Sequence, residues 1–400
     1  MLEQTKKNKE KGASLSGASR SETRKRVFVG LSGGVDSSVA AYLLKEQGYD
    51  VVGVFLRCYN IDGCAERDAE DARRVAEHLE IPFYVFDFEE EYKRLVVDYM
   101  IEGYRAGLTP NPDVMCNKEI KFGLFLERAL KLGADYVATG HYVRLRRNFQ
   151  FSIFNLQIAE DKNKDQSYFL WTLTQEQLKR SLFPLGDITK PEVRVIAKKV
   201  GLPTAEKKDS QGVCFLGMID MKDFLITFIK EARGEVRTID GKLVGHHKGV
   251  RFYTIGQRHF DIEQTTNNKQ PTTNNIKQKR ERNDRKPFYI AKKDIENNIL
   301  YVAEGSGHEA LTKKEVELTG VIINESLFRD EKKYIIKIPV LARVRYRQPL
   351  FGATLFLSCR GLSVVDCRLE FISPQKFVAE GQSAVFYKDD GTLVGGGVII

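Results

Sequence analysis

The residues best suited to chemistry fall into three groups. The first is Ser32-Gly33-Gly34-Val35-Asp36-Ser37-Ser38, which follows directly on the apolar run Val27-Phe28-Val29. Adjacent glycines let a backbone take φ > 0 and turn its N–H groups inward, and such a nest at the positive end of a helix binds phosphate. Ser32, Ser37 and Ser38 add hydroxyl donors, and Asp36 is available to the loop's own N–H groups or to a metal. An ordinary strand-to-helix turn is the bland alternative; the complete string, straight after a strand, favours the anion site. No Gly-Lys-Ser/Thr follows the glycines and G-x-G-x-x-G is absent, so this is neither a Walker A loop nor a dinucleotide fingerprint.

The second group is two thiols. Cys116 stands three residues after Asp113 in Leu108–Asn117, where Pro110 and Pro112 predict a stiff loop that excludes helix. A helix is expected next, over Lys118–Leu132. A thiol at a helix start is favoured as thiolate, and a buried thiol in a turn is the alternative. Cys214 lies in the glycine-flanked loop Lys207–Gly217. The third group is Arg343, Arg345 and Arg347, which alternate and would share one face of a strand. Three neighbouring guanidiniums repel one another unless an anion joins them. RNA phosphate and a cross-strand acidic ladder are the two candidates.

The elements that must position these groups alternate. Strands are predicted at Val27–Leu31, Val51–Leu56, Phe83–Phe86 and Tyr136–Thr139, and helices at Ser37–Gln47, Glu66–Leu79, Glu89–Gly103 and Lys118–Leu132. Strands alternating with helices of this length predict an α/β domain with a parallel sheet covered on both faces. Ligands of such sheets bind beyond the carboxyl ends of the strands, which brings together the loop after Leu31, the segment after Leu56, and Gly140-His141. Thr189-Lys190-Pro191-Glu192 is a capping box opening a helix to Val200, and Asp220–Ala232 reads as one more helix.

Beyond residue 232 helix signals nearly vanish. Short strands at Val236–Ile239, Lys242–Val244, Phe252–Ile255, Phe288–Ala291 and Ile299–Val302 predict a small β-rich domain over 233–309. Alternation at Thr354–Leu357, Ser363–Leu369 and Ala384–Tyr387, with a closing Asp390-Gly391 turn, predicts a C-terminal β-barrel over 310–400. Residues 1–25 are expected to be a disordered basic tail and 264–286 a disordered insertion, leaving 26–232 as the first folded domain.

With 400 residues, 42% hydrophobic and 29% charged, the chain has the composition of a soluble globular protein of two or three domains. No apolar run is long enough for a membrane span, and a hydrophilic start predicts no signal peptide, so the expected address is cytoplasmic. The net charge of +9 lies almost wholly in residues 1–26 and 264–286, each about +5, so a basic folded face has to be argued locally. The insertion is read as a solvated loop first and an RNA-capturing one second. Cys58, Cys64, Cys116, Cys214, Cys359 and Cys367 form no C-x-x-C and no evident disulfide framework. Cys58 and Cys64 lack a nearby histidine and are read as structural.

Seven strings occur in order: G-L-S-G-G-V-D-S-S from Gly30, N-P-D-x-x-C-N from Asn111, A-T-G-H-Y from Ala138, K-D-Q-S-Y-F-L from Lys164, K-K-D-S-x-G-x-C-F from Lys207, Y-T-I-G-Q-R from Tyr253, and R-Y-R-Q from Arg345. From about residue 26 to residue 400 the chain resembles the bacterial tRNA-specific 2-thiouridylases, a family of N-type ATP pyrophosphatases with a PP-loop. The resemblance implies an adenine-nucleotide α-hydrolase-like domain, a small central domain and a β-barrel.

It implies ATP and Mg²⁺ as cofactors. Gly30, Leu31, Ser32, Gly33, Gly34, Val35, Asp36 and Ser37 would hold the ATP phosphates, with Leu56 and Gly140 nearer the adenosine. Leu56 replaces the family's usual Met and keeps an apolar contact. The substrate would be the wobble uridine of tRNA for Lys, Glu and Gln. Its C2 oxygen would be adenylated and then replaced by sulfur. The sulfur would arrive as a Cys214 persulfide from a sulfur carrier or cysteine desulfurase, and would attack directly or as hydrosulfide released by Cys116. Either route leaves a Cys116–Cys214 disulfide. Asp113 would move a proton; Asn111, Pro112 and Asp113 would line the base; His141, Lys164, Asp165, Gln166, Arg345, Tyr346 and Gln382 would contact tRNA. An iron–sulfur cluster on Cys116, Cys214 and a third ligand stays open. His259-Phe260-Asp261 replaces the family's glycine-rich continuation after Arg258. Rival readings are another AMP-forming synthetase on the same loop, or an ATP-bound RNA-binding protein that needs neither cysteine.

Overall fold

A computed structural model describes residues 24–59, 63–149, 153–209, 220–260, 262–263, 286–323, 335–360 and 363–400. Residues 1–23 of the expected tail, nearly all of the expected insertion, and residues 210–217 of the loop with Cys214 lie outside the described residues.

The first domain is built on strands β1 (Arg26–Gly30), β2 (Asp50–Arg57), β3 (Phe83–Asp87), β4 (Tyr136–Ala138) and, after the hairpin β5 (Arg144–Asn148) and β6 (Ile153–Gln157), β7 (Ser181–Leu182). The sheet runs β3-β2-β1-β4-β7, all pairs parallel. Its strand order reverses beside β1, so the crevice beyond β1 and β4 is the place for a ligand. Side chains alternate as the period of two demands. Val27 and Val29 pack under helices α1 (Val35–Glu46) and α2 (Cys64–His78), whereas Phe28, Val52 and Val54 pack on the other side with Phe86, Ile120 and Phe125.

The prolines after Leu108 do not exclude helix, contrary to expectation. A helix begins at Pro112, passes through a widened turn over Cys116–Leu124 and continues over Phe125–Lys131. Pro112 is its first residue, where a missing N–H has no intrahelical partner to lose, and Asn111 Oδ1 accepts from Val114 N at 3.3 Å. The helix expected over Asp220–Ala232 is shorter, Met221–Ile226, capped by Asp220.

The middle domain is a mixed sheet of β8 (Gly234–Thr238), β9 (Leu243–His247), β10 (Phe288–Asp294) and β11 (Ile299–Glu304), ordered β10-β11-β8-β9 with β11 and β8 parallel. The strand expected at Phe252–Ile255 is instead a short 3₁₀ turn over Val250–Phe252, because Val250 N donates to the Asn298 side chain and not to a neighbouring strand. His247 is buried there. Its Nδ1 accepts from Gly249 N at 2.9 Å and its Nε2 lies 3.2 Å from the Asn298 carbonyl, which makes Nε2 the protonated nitrogen. Burial outweighs the Asn298 carbonyl and pushes its pKa down to about 4. The unfolded chain therefore binds a proton that the folded chain refuses between pH 6.5 and about 4. Stability from this group is complete above 6.5 and is lost as pH falls through that window. Denaturant midpoints are expected to drop on acidification across it, and the slope to flatten in His247→Gln. An unchanged slope in that variant excludes His247 as the source.

The C-terminal domain is a closed antiparallel barrel, β12-β15-β14-β13-β16-β17, from β12 (Thr312–Ile323), β13 (Ile335–Arg343), β14 (Phe351–Arg360), β15 (Ser363–Lys376), β16 (Ser383–Tyr387) and β17 (Leu393–Ile399). The Asp390-Gly391 turn joins β16 to β17. The arginine row does not lie along a strand. β13 stops at Arg343, and Arg347 takes φ +63° in the turn that follows, so the three guanidiniums part company.

Candidate functional site

The β1–α1 loop has the geometry of an anion cradle. Leu31 N is tied to Val54 O at 2.8 Å, which fixes the loop's departure from the sheet. Gly33 takes φ +70°, and a Cβ there would lie 2.4 Å from the Asp68 carbonyl oxygen of α2, so only glycine fits. Gly34, which has no side chain to cap it, precedes α1, leaving the first N–H groups of that helix turned to the loop. Ser37 Oγ accepts from Ser32 N at 3.1 Å, lies 3.2 Å from Ser32 Oγ, and donates to the Gly34 carbonyl at 3.1 Å. Val35 is buried and anchors the helix start.

Gly140 follows β4 and seats against α1. A Cβ on it would lie 2.7 Å from Ser37 N and 2.8 Å from the Asp36 carbonyl carbon, so glycine is what lets the β4 end approach the cradle. Leu56, the last residue but one of β2, lies at the same sheet edge, half-buried. Gly30, Leu31, Leu56 and Gly140 thus lie at the carboxyl ends of three adjacent strands. The Asp36 carboxylate points away from the loop's N–H groups. It accepts from Tyr142 OH at 2.7 Å and from Lys190 Nζ at 2.7 and 2.8 Å. Among the described residues no group of three or more His, Cys, Asp or Glu side chains is arranged to hold a metal.

Cys116 is buried in the second turn of the helix that opens at Pro112, beyond the reach of the N-terminal dipole field on which its expected activation rested. Asp113 belongs to the first turn, and its carbonyl accepts from Asn117 Nδ2 at 3.0 Å. The preceding backbone is held by the barrel: Gln382 Nε2 donates to the carbonyls of Thr109 at 3.0 Å and Pro110 at 3.4 Å, and Thr109 N donates to Glu380 O at 2.8 Å. Cys214, the intended partner of Cys116, lies outside the described residues.

The remaining residues expected at tRNA divide into buried and surface groups. His141 is buried between Phe122 and Phe183, its Nδ1 2.7 Å from Thr139 Oγ1; burial, then the nearby Lys121 charge, keep it neutral by pushing its pKa well down. Gln166 Oε1 accepts from Tyr142 N at 3.0 Å. Lys164 donates to Asp209 at 2.6 Å. Asp165 is buried at the junction of first domain and barrel, where it meets Arg343 and accepts from Ser167 Oγ at 2.9 Å. Neither candidate anion for the arginine row describes Arg343, whose partner is this internal carboxylate. Arg345 donates to the Ile255 carbonyl and covers Phe377 at 5.8 Å. Tyr346 packs on Phe169 at 4.4 Å between ring centres. Lys190, Arg194 and Asp209, which converge beside the cradle, were not singled out from the sequence. Lys190 stood only inside a capping box and Asp209 only inside the K-K-D-S string.

The chain matches known proteins along most of its length. Residues 25–218 match a family model described as tRNA methyl transferase HUP domain, 222–304 one described as tRNA methyl transferase PRC-barrel domain, and 321–399 one described as Aminomethyltransferase beta-barrel domain. The chain is 44% identical over 380 residues to the tRNA-specific 2-thiouridylase MnmA of Streptococcus agalactiae serotype III (strain NEM316), covering 94% of this chain and 95% of that protein. It is 42% identical over 383 residues to the protein of the same name from Streptococcus thermophilus (strain CNRZ 1066), with the same coverage. Among solved structures, NMN synthetase from Francisella tularensis aligns at TM-score 0.31 and 17% identity over 52% of this chain and 73% of that one.

Proposed function

The chain belongs to the tRNA-specific 2-thiouridylase family, and from that premise we propose how its residues carry out the reaction. It uses ATP to activate the C2 oxygen of the wobble uridine in tRNA for Lys, Glu and Gln, and replaces that oxygen with sulfur. The observation that carries the reading is the cradle itself: Gly33 in its left-handed conformation against Asp68, and a helix start without a side-chain cap, at the switch point of a parallel sheet. The C2 carbonyl of uracil is a poor electrophile and oxide does not leave; AMP does. The loop N–H groups and Ser32 and Ser37 bind the phosphates, and Gly140 lets the nucleotide's other end lie over β4. Mg²⁺ accompanying the nucleotide would supply positive charge to its phosphates.

Sulfur is delivered by a persulfide donor to Cys214. The outer sulfur of the Cys214 persulfide bonds to C2 as the C2–O bond to AMP breaks. The Cys116 thiolate attacks Cys214 Sγ, breaking its bond to that outer sulfur, which either stays on C2 or, if Cys116 acts first, is released as the attacking hydrosulfide. A reductant reopens the Cys116–Cys214 disulfide. Asp113 exchanges the proton of the uracil or the persulfide. Gln382 and Glu380 set the loop that presents Asn111, Pro112 and Asp113, so the barrel positions the base-binding segment as well as bearing tRNA contacts. Arg345, Tyr346 and Gln166 would contact the tRNA, while Lys164 faces Asp209 beside the cradle, and the target base has to leave its stack to reach Cys116. No helix among the described residues is long and apolar enough to cross a membrane.

The test is thiolation of an unmodified tRNA-Glu transcript with ATP, Mg²⁺ and a persulfide donor, read by retardation on a mercury-containing gel. A retarded band that requires ATP is expected. AMP and pyrophosphate without a retarded band would leave the nucleophile to be sought elsewhere. Neither product, from folded protein that binds tRNA, would sink the reading.

A further inference from the structure

Beside the cradle three cations converge on one carboxylate. Asp209 Oδ2 lies 2.6 Å from Lys164 Nζ, and Asp209 Oδ1 lies 2.6 Å from an Arg194 guanidinium nitrogen and 2.9 Å from Lys190 Nζ. Lys190 reaches back to both oxygens of Asp36, inside the loop. Lys190 is nearly buried, whereas Lys164 and Arg194 keep 30% and 25% of their side-chain surface, so a solute has access. The three cations pair with two carboxylates, Asp209 and Asp36, and a third, Asp161, accepts from the backbone N–H groups of Lys164 and Lys190.

The helix start at Lys190 is not itself the attraction. Thr189 and Glu192 close its capping box, and Lys190 N already donates to Asp161 at 2.9 Å. The cationic side chains are what an anion would find. Burial raises the Asp209 pKa, but the Lys164 and Lys190 ammoniums more than reverse this and hold it well below the usual carboxylate range, so Asp209 meets them as an anion.

We propose that Asp209 is an internal stand-in for an anion: its carboxylate occupies a pyrophosphate subsite made by Lys164, Lys190 and Arg194 at the edge of the cradle, and inorganic pyrophosphate displaces it. This rests on the reading of the loop as an ATP site and adds the place where the leaving group is received. Pyrophosphate carries more charge than a carboxylate and offers more acceptor oxygens, so it makes the stronger charge-assisted bonds. Asp209 keeps the three cations from repelling one another when the subsite is empty. By competing for them it also loosens the grip on the product.

Calorimetric titration of the full chain with inorganic pyrophosphate, followed by the same titration of two variants, tests this. Asp209→Asn is expected to bind pyrophosphate about fivefold tighter, because the competitor's charge is gone, and Lys190→Met about tenfold weaker. A salt bridge that merely supports the fold predicts weaker or unchanged binding in Asp209→Asn, and that result overturns the proposal. Hydrogen exchange of the unaltered protein gives a second reading that needs no folded variant. Saturating pyrophosphate is expected to speed amide exchange over residues 205–209, and unchanged or slower exchange there overturns displacement. Unaltered protein that binds ATP but not pyrophosphate defeats this inference alone; protein that binds neither defeats the ATP reading beneath it.

Discussion

Serine in place of Cys116 is expected to abolish thiolation of tRNA, by on the order of a thousandfold or more, while ATP-dependent release of pyrophosphate persists and AMP appears as water hydrolyses the adenylated base. Cys116 is buried in a helix whose start is fixed by Asn111 and whose neighbour Asn117 bonds the Asp113 carbonyl, and none of these contacts uses sulfur. An alkoxide is neither formed at neutral pH nor able to close a disulfide with Cys214, whichever of the two sulfur routes operates. Cys214→Ser is expected to give the same separation of half-reactions. The measurement is the ratio of AMP formed to tRNA thiolated. Full multiple-turnover thiolation by Cys116→Ser would show the buried thiol to be part of the core and nothing more.

Replacing Arg343 by leucine is expected to cost about 3–5 kcal/mol of stability, seen as a large fall in the denaturant midpoint. Arg343 and Asp165 keep only 7% and 2% of their side-chain surface. The guanidinium also donates to Tyr387 OH at 2.7 Å and stands over the Tyr168 and Tyr387 rings. Leucine removes the cation and leaves a carboxylate sealed from water. Adding Asp165→Asn to Arg343→Leu removes the stranded charge and is expected to restore part of the loss, whereas Asp165→Asn alone destabilises. If the single and double variants melt alike, the pair is not coupled and the junction is held by packing. The chemistry of the cradle need not change in protein that remains folded.

Where one local rule governs, the residues state the fold. Val27 and Val29 on one face with Phe28 on the other, the glycines after them and the Thr189–Glu192 capping box all behave as their spacing demands. The errors arise where two rules compete. Pro112 reads as a helix breaker or a helix opener according to whether its neighbour caps, and the Asn111 side chain decides it. Arg343, Arg345 and Arg347 alternate like a strand, but the strand ends at the first of them and a buried Asp165, 178 residues away in sequence, claims it. The local strings around Lys190 and Asp209, a capping box and K-K-D-S, say nothing of their pairing, which lies in a convergence of three segments that only the folded chain creates.

The tie between Gln382 and the Thr109 and Pro110 carbonyls has a consequence for how the protein is made. The first domain leaves the ribosome early and carries the cradle, the thiol helix and the loop proposed to bind the base. The hydrogen bonds that set that loop come from a segment translated some 270 residues later, next to a strand whose Gly396 lies flat under the Trp171 ring. A nascent or prematurely terminated chain is thus left with a nucleotide site and an unset target loop. Translation to the last strands acts as an assembly checkpoint, and fragments released before it are poor candidates to occupy tRNA.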